Sequence, residues 1–563
     1  MDFHNIEEIN KIVSTIPFID VLEDFKQAGI FLEARISVKN LKGLNENLNF
    51  DIQIFPQYPL KSHDSEALKF INRDLISYNH VMGDGSICIH TLHSPKLKQK
   101  LLADFESLKA WIEKYYINKN NDSHYEHIII NEQPFDDIYY SYQFTKVDYS
   151  FKKGEFGKVD LIPLSNGVYK KKTICNFLIK SFQSVKNSIK INSKWSDYYM
   201  NFEVKNLGFF IFLEDVPASH NRFAFSNWSE LENYIPTDFL QFLHDFKKRN
   251  KKPKNTFLPI FFGYKTVKNE IHWISTLVKI NEMPIAGSPI LDSNGIKLKG
   301  QWKSELIDQK INWTITRNSS YKYLFGRGTF CDKITNAKIL IIGVGAIGSM
   351  VAKTLVKCGA KNINIVEYDV KEPENVCRSE YSFSSGLYDK TFELIKTLHE
   401  NSPFVNVKFH NNDEYFESFI KALHKDKESQ KNYEESLNQF DIIFNCSTDN
   451  DLIFVLDQLK LSTDLINLSI TNHAKDLVCA FYPNIYKYVQ NQFINILDND
   501  VEDLYNPTGC WSPTFKASYN DINLLTQYAL KEINRKYDEN KPKENFTLSI
   551  NSENNSNIKF TQY

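Results

Sequence analysis

Gly343, Gly345 and Gly348 have the spacing of a turn that binds a nucleotide phosphate. They follow the apolar run AKILIIG and open the helix-like stretch AIGSMVAKTLVKCG, which ends at Gly359. In such a strand–turn–helix unit the first glycine permits a tight turn, the second lets phosphate approach, and the third lets helix and strand pack closely. Backbone amides at the helix start are then available to phosphate oxygens. The spacing predicts a nucleotide site without identifying the nucleotide.

Charged residues downstream bear on which nucleotide is bound. Glu367 lies where a dinucleotide fold has its ribose-binding acid, so an NAD-dependent oxidoreductase fits this far. Asn375, Arg378 and Lys390 come next, and an enzyme that cleaves the α–β bond of ATP needs such groups because charge builds on the departing pyrophosphate. Asp449 ends the buried strand FDIIFN, at the sheet edge where a carboxylate holds Mg²⁺ against phosphates. The set favours ATP with Mg²⁺ over NAD.

Taken singly, Arg378 and Lys390 are ordinary surface charges and Asp449 is a helix cap. The ordered set is more specific. GVGAIG, EYD, NVCR, the lysine and STDN resemble, in order and spacing, the ThiF/MoeB/ubiquitin-activating family of adenylating enzymes over residues 317–530. The resemblance implies that ATP adenylates the C-terminal carboxylate of a protein, with release of pyrophosphate.

The resemblance also assigns roles to single residues. Glu367 and Asp369 would contact the ribose, although the family usually has aspartate where Glu367 stands. The residues assigned to the phosphates are Asn375, Arg378 and Lys390, and the one assigned to the metal is Asp449. An arginine ahead of the glycines would reach into the partner subunit of a homodimer; Arg317 is the first choice and Arg327 the second.

Cys510 is the candidate nucleophile of this last segment. It lies in NPTGCWSPTF, after a bend rich in proline and glycine and before a predicted helix, where a thiol has a lowered pKa. On a simpler interpretation it is one of eight ordinary cysteines. Its late position in an adenylating domain resembles the thioester cysteine of activating enzymes that carry their cargo covalently. The cysteines at 358, 377, 446 and 479 are interpreted as structural.

Cys88 is a second candidate nucleophile, near the other end of the chain. A cysteine between two isoleucines is most simply a core residue. However, the order helix, strands, FPQYP, GSICIHTL and helix over residues 1–120 resembles the ubiquitin-conjugating fold. In that family the corresponding thiol accepts a ubiquitin-like protein and becomes the leaving group when a lysine amine attacks.

The ubiquitin-conjugating resemblance has departures. YNH at 78–80 replaces the usual His-Pro-Asn, so His80 stands where an oxyanion-stabilising asparagine is expected, and Asn79 takes that role if the loop shifts by one residue. No tryptophan closely follows the cysteine, and the usual double proline after FPQYP is missing. A docking fold without conjugating activity therefore stays open.

The elements that position these residues divide the chain into three segments. At 563 residues the chain is too long for one ordinary core. We predict an α+β ubiquitin-conjugating-like domain at 1–120, a mixed β-rich middle domain at 121–315 and a Rossmann-like, α/β ThiF-type adenylation domain at 316–563. The middle segment has short aromatic runs typical of strands and contains no recognisable chemical constellation.

Composition limits the partners and the compartment. The formal net charge of -2 argues against nucleic acid as the main partner. The most apolar window, 207–216, is far too short to span a membrane. Dispersed cysteines without a CxxC pair suit a reducing cytoplasm, and they argue against a disulfide framework and a tetrathiolate zinc site.

The combination of segments resembles the bacterial fused activating/conjugating enzymes of CBASS anti-phage operons. These attach the C-terminus of a cGAS/DncV-like nucleotidyltransferase to lysines of target proteins. The resemblance implies transfer from the adenylate to Cys510, then to Cys88 and then to a lysine, and fusion raises the effective concentration of the receiving thiol. The alternatives are a sulfur-carrier adenylyltransferase of the thiamine or molybdopterin type, a non-catalytic scaffold and, more remotely, an NAD oxidoreductase.

Overall fold

A computed structural model describes residues 6–61, 65–120, 128–220, 222–250, 257–410, 426–496, 504–505, 514–550 and 557–563. Three large sheets follow one another along these residues, each with its own buried core. The mixed α/β class predicted from the sequence is confirmed, whereas the exact domain boundaries stay a prediction. None of the helices in the described ranges combines the length and the apolar character needed to cross a membrane.

The first sheet is a four-stranded antiparallel meander flanked by helices. Its elements are α1 (Ile6–Val13), β1 (Ile19–Ala28), β2 (Phe31–Val38), β3 (Leu48–Ile54), β4 (Leu68–Ile71) and α2 (Leu97–Trp111). The strands pair in the order β1-β2-β3-β4. Along β3, Leu48, Phe50 and Ile52 are buried and the residues between Leu48 and Ile52 alternate with them toward solvent. This alternation is that of a sheet with one face in water, and α2 covers the other face.

The middle sheet has nine strands and is covered on both faces. The elements of this part are β5 (Tyr139–Phe144), β6 (Glu155–Pro163), β7 (Gly167–Tyr169), β8 (Lys172–Ser184), β9 (Lys190–Asn192), α3 (Asp197–Met200), β10 (Asn206–Glu214), β11 (Ala218–Ser219), β12 (Phe223–Ala224), α4 (Thr237–Arg249), β13 (Phe257–Lys265), β14 (Ile271–Lys279), β15 (Ile285–Leu291), β16 (Lys297–Leu306) and β17 (Ile315–Asn318). The sheet order is β14-β13-β10-β6-β8-β5-β17, with β7 and β9 paired to β8. In β10, Phe209 and Ile211 join one core while Phe210 and Phe212 join the other. A continuous apolar run is what a strand buried on both faces requires.

The last sheet has eight strands. The elements of this part are α5 (Tyr321–Phe325), α6 (Asp332–Thr335), β18 (Lys338–Ile342), α7 (Ala346–Lys357), β19 (Asn362–Val366), β20 (Val370–Lys371), β21 (Tyr388–Asp389), α8 (Lys390–Asn401), β22 (Asn406–Phe409), α9 (Lys427–Leu437), β23 (Ile442–Asn445), α10 (Asn450–Gln458), β24 (Asp464–Thr471), β25 (Asp476–Phe481), α11 (Ile485–Ile496), β26 (Leu504–Tyr505), β27 (Thr514–Phe515), α12 (Tyr519–Asp538), β28 (Phe546–Ile550) and β29 (Ile558–Gln562). The order is β22-β19-β18-β23-β24-β25-β28-β29, and the first five strands are parallel.

The parallel half of this sheet explains why distant residues meet. Ile339 and Ile341 of β18 face one core, whereas Leu340 and Ile342 face the other, so the strand is buried on both sides. The strands β18 and β23 are direct neighbours. Because parallel strands end at the same edge, the glycine turn after β18 and the acid after β23 are brought to one crevice.

The middle part contacts the last part through the residues around α3. Tyr198 stacks on His399 with ring centroids 4.1 Å apart and an interplanar angle of 5°. The Ser196 amide donates to the Pro403 carbonyl at 2.8 Å, and the Tyr199 hydroxyl donates to the His399 carbonyl at 3.0 Å. Ring stacking and hydrogen bonds of defined direction fix an orientation as well as a distance.

Candidate functional site

The glycine turn has a distinct structural requirement at each glycine. Gly343 has φ +78°, and a Cβ there would lie 2.7 Å from the Cα of Ser447. A Cβ at Gly348 would lie 1.9 Å from the Gly343 carbonyl oxygen, so helix α7 packs too closely for any side chain. A Cβ at Gly345 would meet no atom within 4 Å. The first and third glycines are therefore required by packing, and the second leaves the start of α7 open to a phosphate.

Glu367 and Tyr381 hold the turn in place from two sides. The Val344 amide donates to Glu367 Oε2 at 2.9 Å, and the Tyr381 hydroxyl donates to the Val344 carbonyl at 2.5 Å. Glu367 Oε1 also accepts from the amides of Tyr368 and Asp369 at 2.9 and 3.1 Å. Burial, reinforced by the Glu367 charge, raises the pKa of Tyr381, which keeps the phenol a donor. The predicted ribose contact of Glu367 stays a prediction, and Tyr381 is a supporting residue that the motif spacing did not reveal.

Asp369 and Lys390, predicted to contact ribose and phosphates respectively, form an ion pair with each other. Lys390 is only 6% exposed, although it opens α8, whereas the Asp369 side chain is largely exposed. The side chain of Asp389 accepts the Thr391 amide at 2.8 Å and caps this helix. The cap fixes the helix start and so directs Lys390 toward the end of β19.

Asp449 lies at the opposite lip of the crevice as the cap of α10. Its Oδ1 accepts from the amides of Asp451 and Leu452 at 2.9 and 3.1 Å. The helix-cap interpretation is therefore correct for one carboxylate oxygen. Within the described ranges, no group of three or more His, Cys, Asp or Glu side chains could hold a metal ion. Mg²⁺ commonly takes one or two carboxylates together with substrate phosphates, so Asp449 fits as a single ligand from the protein.

Tyr368 lies between Glu367 and Asp369, just after β19. Its side chain is 70% exposed. Its pKa is raised by partial burial and then by the charges of Glu367, Asp369 and Asp449. Both β19 and β23 pair with β18 in parallel, so their carboxyl ends lie at the same edge of the sheet. Sequence reasoning missed Tyr368 because an exposed tyrosine carries no distinctive pattern.

Asn375 and Arg378 lie on a short 3₁₀ helix, Pro373–Arg378, between β20 and β21. The Asn375 side chain accepts the Glu372 amide at 2.9 Å and closes a capping box. Arg378 is half-buried. Their predicted phosphate contacts stay predictions.

Lys371 anchors the segment that carries these two residues. Its side chain is 1% exposed and its Nζ lies 2.6 Å from Glu393 Oε2. The same ammonium donates to the Ser382 carbonyl at 2.7 Å. Burial on its own raises the pKa of Glu393, but the hydrogen bond from Lys371 and others outweigh it, and the pKa is lowered. A buried lysine with its carboxylate fixes a loop rigidly because either charge alone is costly.

Arg317 pairs within its own chain. Its Nη2 lies 2.7 Å from Glu132 Oε1, and its Nη1 donates to the Thr316 carbonyl at 3.1 Å. More than half of the side chain remains exposed. Arg327 is also exposed. The prediction that one of them reaches the phosphates of a partner subunit stays a prediction.

Cys510 lies within residues 506–513, outside the described residues. The strands on either side of it, β26 and β27, pair with each other. Helix α12 then begins at Tyr519, whose hydroxyl donates to Glu380 Oε1 at 2.6 Å. Hydrogen bonding to Glu380 raises the pKa of Tyr519 to about 12. Glu380 also pairs with Lys353 of α7, so the chain that follows Cys510 is attached beside the glycine turn.

The other cysteines of the last part differ in exposure. Cys446 and Cys479 are buried, and burial raises the pKa of both thiols. Cys358 is half-buried and its pKa is raised for the same reason. These three agree with a structural interpretation. Cys377 is exposed, so its thiol is accessible to solvent in contrast to that interpretation.

Cys88 in the first part has an imidazole beside it. Its Sγ lies 3.6 Å from His90 Nε2, and its amide donates to the His80 carbonyl at 2.7 Å. Burial raises the pKa of the Cys88 thiol. His90 is exposed at the mouth of a cleft of about 420 Å³ that also contains Lys69 and Asp84. Sequence reasoning missed His90, although its i+2 position on an extended segment places it on the same side as Cys88.

The loop before Cys88 holds the residues predicted to stabilise an oxyanion. His80 has φ +60° and its ring lies 4.8 Å from that of Tyr115, while its backbone carbonyl contacts Cys88. The Asn79 amide group donates to the Asn120 carbonyl at 3.4 Å. The Trp111 indole donates to the Asn79 carbonyl at 2.9 Å. The oxyanion role of either side chain stays a prediction.

A buried ionic network lies beneath this cleft. Lys100, with 1% of its side chain exposed, contacts Glu66 Oε2 at 2.8 Å and also binds Asp104 and Thr91. The Tyr58 hydroxyl donates to Asp104 at 2.9 Å. The network therefore links the FPQYP turn, the chain after Cys88 and helix α2.

Comparison with known proteins assigns the last part to a family. Residues 318–470 match the ThiF family. ATP-dependent ubiquitin transferase-like protein Cap2 from Enterobacter hormaechei subsp. hoffmannii (strain UCI 50) is 27% identical over 245 residues, which cover 42% of this chain and 39% of that protein. SUMO-activating enzyme subunit 2 from Dictyostelium discoideum is 30% identical over 141 residues, or 25% of this chain and 19% of that protein. The chain thus spans well under half the length of these curated relatives.

Solved structures give a similar but weaker correspondence. The crystal structure of E. coli MccB with AMPCPP and MccA is 17% identical, with a TM-score of 0.29, and covers 41% of this chain and 64% of that chain. The family match, and not this structural likeness, identifies the last part as a ThiF family domain.

Proposed function

We propose that this chain, whose C-terminal part contains a ThiF family domain related to those of ubiquitin-activating enzymes, uses ATP to activate the C-terminal carboxylate of a partner protein and transfers it to a lysine. The observation that carries the proposal is the crevice at the ends of β18, β19 and β23. There an open helix start, the Asp369–Lys390 pair and Asp449 converge.

The crevice suits adenylation chemistry. A carboxylate oxygen of the partner attacks the α-phosphorus of ATP, the α–β bond breaks, and pyrophosphate leaves. Lys390 and Arg378 neutralise the charge that develops on the leaving group, and amides at the start of α7 donate to phosphate oxygens. Asp449 is the candidate ligand of a Mg²⁺ ion, which when bound supplies positive charge to the phosphates.

The two thiols would then carry the acyl group onward. The Cys510 thiolate attacks the acyl adenylate and AMP leaves. The Cys88 thiolate attacks that thioester and Cys510 leaves as a thiolate. A lysine amine finally attacks the Cys88 thioester and loses a proton; the carbon–sulfur bond breaks, Cys88 leaves as a thiolate, and an isopeptide bond forms. Because burial raises the pKa of Cys88, the nearby His90 imidazole is the candidate group to accept its proton.

The proposed biological setting follows from Cap2, the relative with 27% identity. We place the chain in a CBASS-type anti-phage system, with a cGAS/DncV-like nucleotidyltransferase as the activated partner and a separate protein as the lysine-bearing target. A homodimer is part of this proposal because Arg317 or Arg327 would complete the phosphate site of the other subunit.

The test uses the full chain, ATP, Mg²⁺ and a cGAS/DncV-like nucleotidyltransferase with a free C-terminus, followed by gels with and without reductant. We expect two thiol-sensitive adducts. Cys510→Ala removes both, whereas Cys88→Ala removes the second and keeps the first. Cys377→Ala removes an exposed thiol that has no role in the proposed relay, serves as the control and leaves both adducts.

Other outcomes separate the alternatives. A sulfur-carrier adenylyltransferase would give the same product in Cys88→Ala as in the unsubstituted chain. A scaffold would show no exchange of labelled pyrophosphate into ATP in the presence of the partner. Adducts that persist in a chain lacking both Cys510 and Cys88 would contradict the proposed relay.

A further inference from the structure

The middle part inserts one arginine into the first part, immediately beside the Cys88 loop. Arg222 is 4% exposed. Its Nη1 donates to the Val81 carbonyl at 3.1 Å and its Nη2 donates to the Ile76 carbonyl. A guanidinium presents several donors in a fixed fork, so it can hold two carbonyls at a defined separation where a lysine cannot.

Four carbonyls of the segment 76–81 accept hydrogen bonds from N–H groups of three residues. The Asn79 carbonyl accepts from Trp111, and the His80 carbonyl accepts from the Cys88 amide. The carbonyls on either side, at 76 and 81, both accept from Arg222. Buried carbonyls need donors, so removal of the guanidinium leaves two of the four without the partner that fixes them.

Arg222 is itself held by the middle part. Its carbonyl accepts the Ile129 amide at 2.6 Å, and its amide donates to the Ser219 carbonyl at 3.1 Å. The adjacent Phe223 packs against Gly83, where a Cβ would lie 3.6 Å from the ring. The guanidinium is therefore presented by a fixed backbone.

We infer that Arg222 is a positioning residue for the Cys88 site, and that the middle part completes this site instead of only linking the two ends of the chain. Arg222 acts through the 76–81 segment, which sets the His80–Cys88 backbone hydrogen bond and thereby the direction of the thiol. The inference rests on the proposed function of Cys88 as an acyl acceptor. It assigns to the middle part a task that the sequence did not reveal.

Arg222→Ala should have opposite effects on two reactions of Cys88. Alkylation by iodoacetamide is followed by peptide mass spectrometry from pH 6 to pH 10, and its neutral-pH rate should rise about fivefold because a loosened thiol is better hydrated. The pH at which the alkylation rate of Cys88 reaches half its maximum should also decrease. Acyl transfer from Cys510 should fall about tenfold because the thiol is misdirected. For both reactions, the rate measured for Arg222→Lys should lie between that of Arg222→Ala and that of the unsubstituted chain.

Internal controls separate positioning from unfolding. Amide hydrogen exchange at Phe50 and Ile52, which are buried in β3 of the first part, reports unfolding of that part and should stay slow in Arg222→Ala. Arg249→Ala removes an exposed arginine of the same middle part and should leave both reactions unchanged. Fast exchange at Phe50 and Ile52 in parallel with Cys88 labelling, or a Cys88 rate and pH profile equal to those of the unsubstituted chain, would overturn the inference.

The alkylation measurement also stands apart from the proposed function. If the unsubstituted chain forms no thioester on Cys88, the relay fails, while the alkylation profile still reports whether Arg222 orients the thiol. If the thioester forms normally and only the Arg222 effects are missing, the relay stands and the positioning role fails.

Discussion

Each candidate site has a nearly completely buried lysine beneath it, and the two lysines are bound in different ways. Lys371 pairs with Glu393 and binds Ser382, all within the segment that also contains the phosphate-site candidates. Lys100 gathers Glu66, Thr91 and Asp104 from separate elements of the first part. The buried lysine of the nucleotide crevice is thus held within one short segment, whereas that of the thiol site joins several separate elements of the first part. This difference decides how much of each site a sequence reveals.

Lys100→Met should have the largest effect, because it leaves Asp104 buried without its cation and leaves Glu66 with Lys61 as its remaining cation. We expect a loss of about 3–5 kcal/mol in the unfolding free energy of the first part. The measurement is the urea midpoint of the transition that exposes Cys88 to alkylation. Lys98→Met, on an exposed position of the same helix, should change it by less than about 0.5 kcal/mol. Equal effects of the two changes would contradict the network's importance.

Lys371→Met should cost about 3 kcal/mol in the last part, since Glu393 loses its buried partner. The double variant Lys371→Met/Glu393→Leu should recover to within about 1 kcal/mol, because it removes both charges together. The same strategy should fail at Lys100 with Glu66→Leu alone, since Asp104 remains. Cys446 labelling during urea unfolding reports the last part. If Lys100→Met/Glu66→Leu recovered its unfolding free energy as fully as Lys371→Met/Glu393→Leu, the difference between an ion pair and a larger network would be contradicted.

Asp449→Asn tests the crevice without disturbing its helix. Asparagine caps a helix as well as aspartate, so the unfolding free energy should be nearly unchanged. Pyrophosphate exchange with the partner present should fall about 100-fold, because the candidate metal ligand loses its charge. Asp449→Ala, which also loses the cap, should be equally inactive and about 1 kcal/mol less stable. Full exchange activity in Asp449→Asn would exclude this residue as the ligand.

Gly348→Ala and Gly345→Ala should separate packing from ligand approach within one turn. The Gly348 methyl would collide with the Gly343 carbonyl, so we expect a loss of about 2 kcal/mol in unfolding free energy. The Gly345 methyl faces open space, so stability should be retained while ATP affinity falls. Urea unfolding and ATP titration of the two variants test this. Equal losses of stability and of ATP affinity in both would contradict the separate roles of Gly348 in packing and of Gly345 in ligand approach.

Lowering the pH should weaken both the Lys100 network and the Lys371–Glu393 pair. We expect this effect on stability to be the smallest of those predicted here. The pKa of Glu66 is lowered because hydrogen bonds from Lys100 and Lys61 outweigh the effect of burial, and the pKa of Glu393 is lowered likewise by Lys371. A lowered folded-state pKa gives stabilisation that is complete above the ordinary glutamate value of about 4.3 and is lost as the pH falls through the folded value. The unfolding free energy of Lys371→Met/Glu393→Leu should therefore depend less steeply on pH between pH 5 and pH 3 than that of the unsubstituted chain. An unchanged slope would show that Glu393 contributes little.

The sequence predicts the strand–turn–helix unit well because all its determinants are local. The apolar run of β18, the three glycines and helix α7 adjoin one another, and the structure places them together. Asp449 is distant in sequence, yet it is found because parallel strands end at one edge. The resemblance to a ThiF-type domain is confirmed by the family match.

The supporting contacts could not be predicted in the same way. Tyr381 binds the glycine turn through a single hydroxyl, and Arg222 reaches carbonyls more than a hundred residues away. Neither residue type has a period or a neighbour that indicates such a contact. His90 was closer to being predictable, since its spacing from Cys88 is that of two residues on one side of an extended chain.

The middle part contacts both of its neighbours, the first part through Arg222 and the last part through the Tyr198–His399 stack. A flexible linker lets two sites meet by diffusion and tolerates added length. A domain that packs against both neighbours instead holds them in a fixed relative orientation. Glycine–serine insertions next to the middle part should therefore be harmless only where they leave both docking points in register. Separately expressed parts of the chain could restore this orientation only by forming the Arg222 and Tyr198–His399 contacts again.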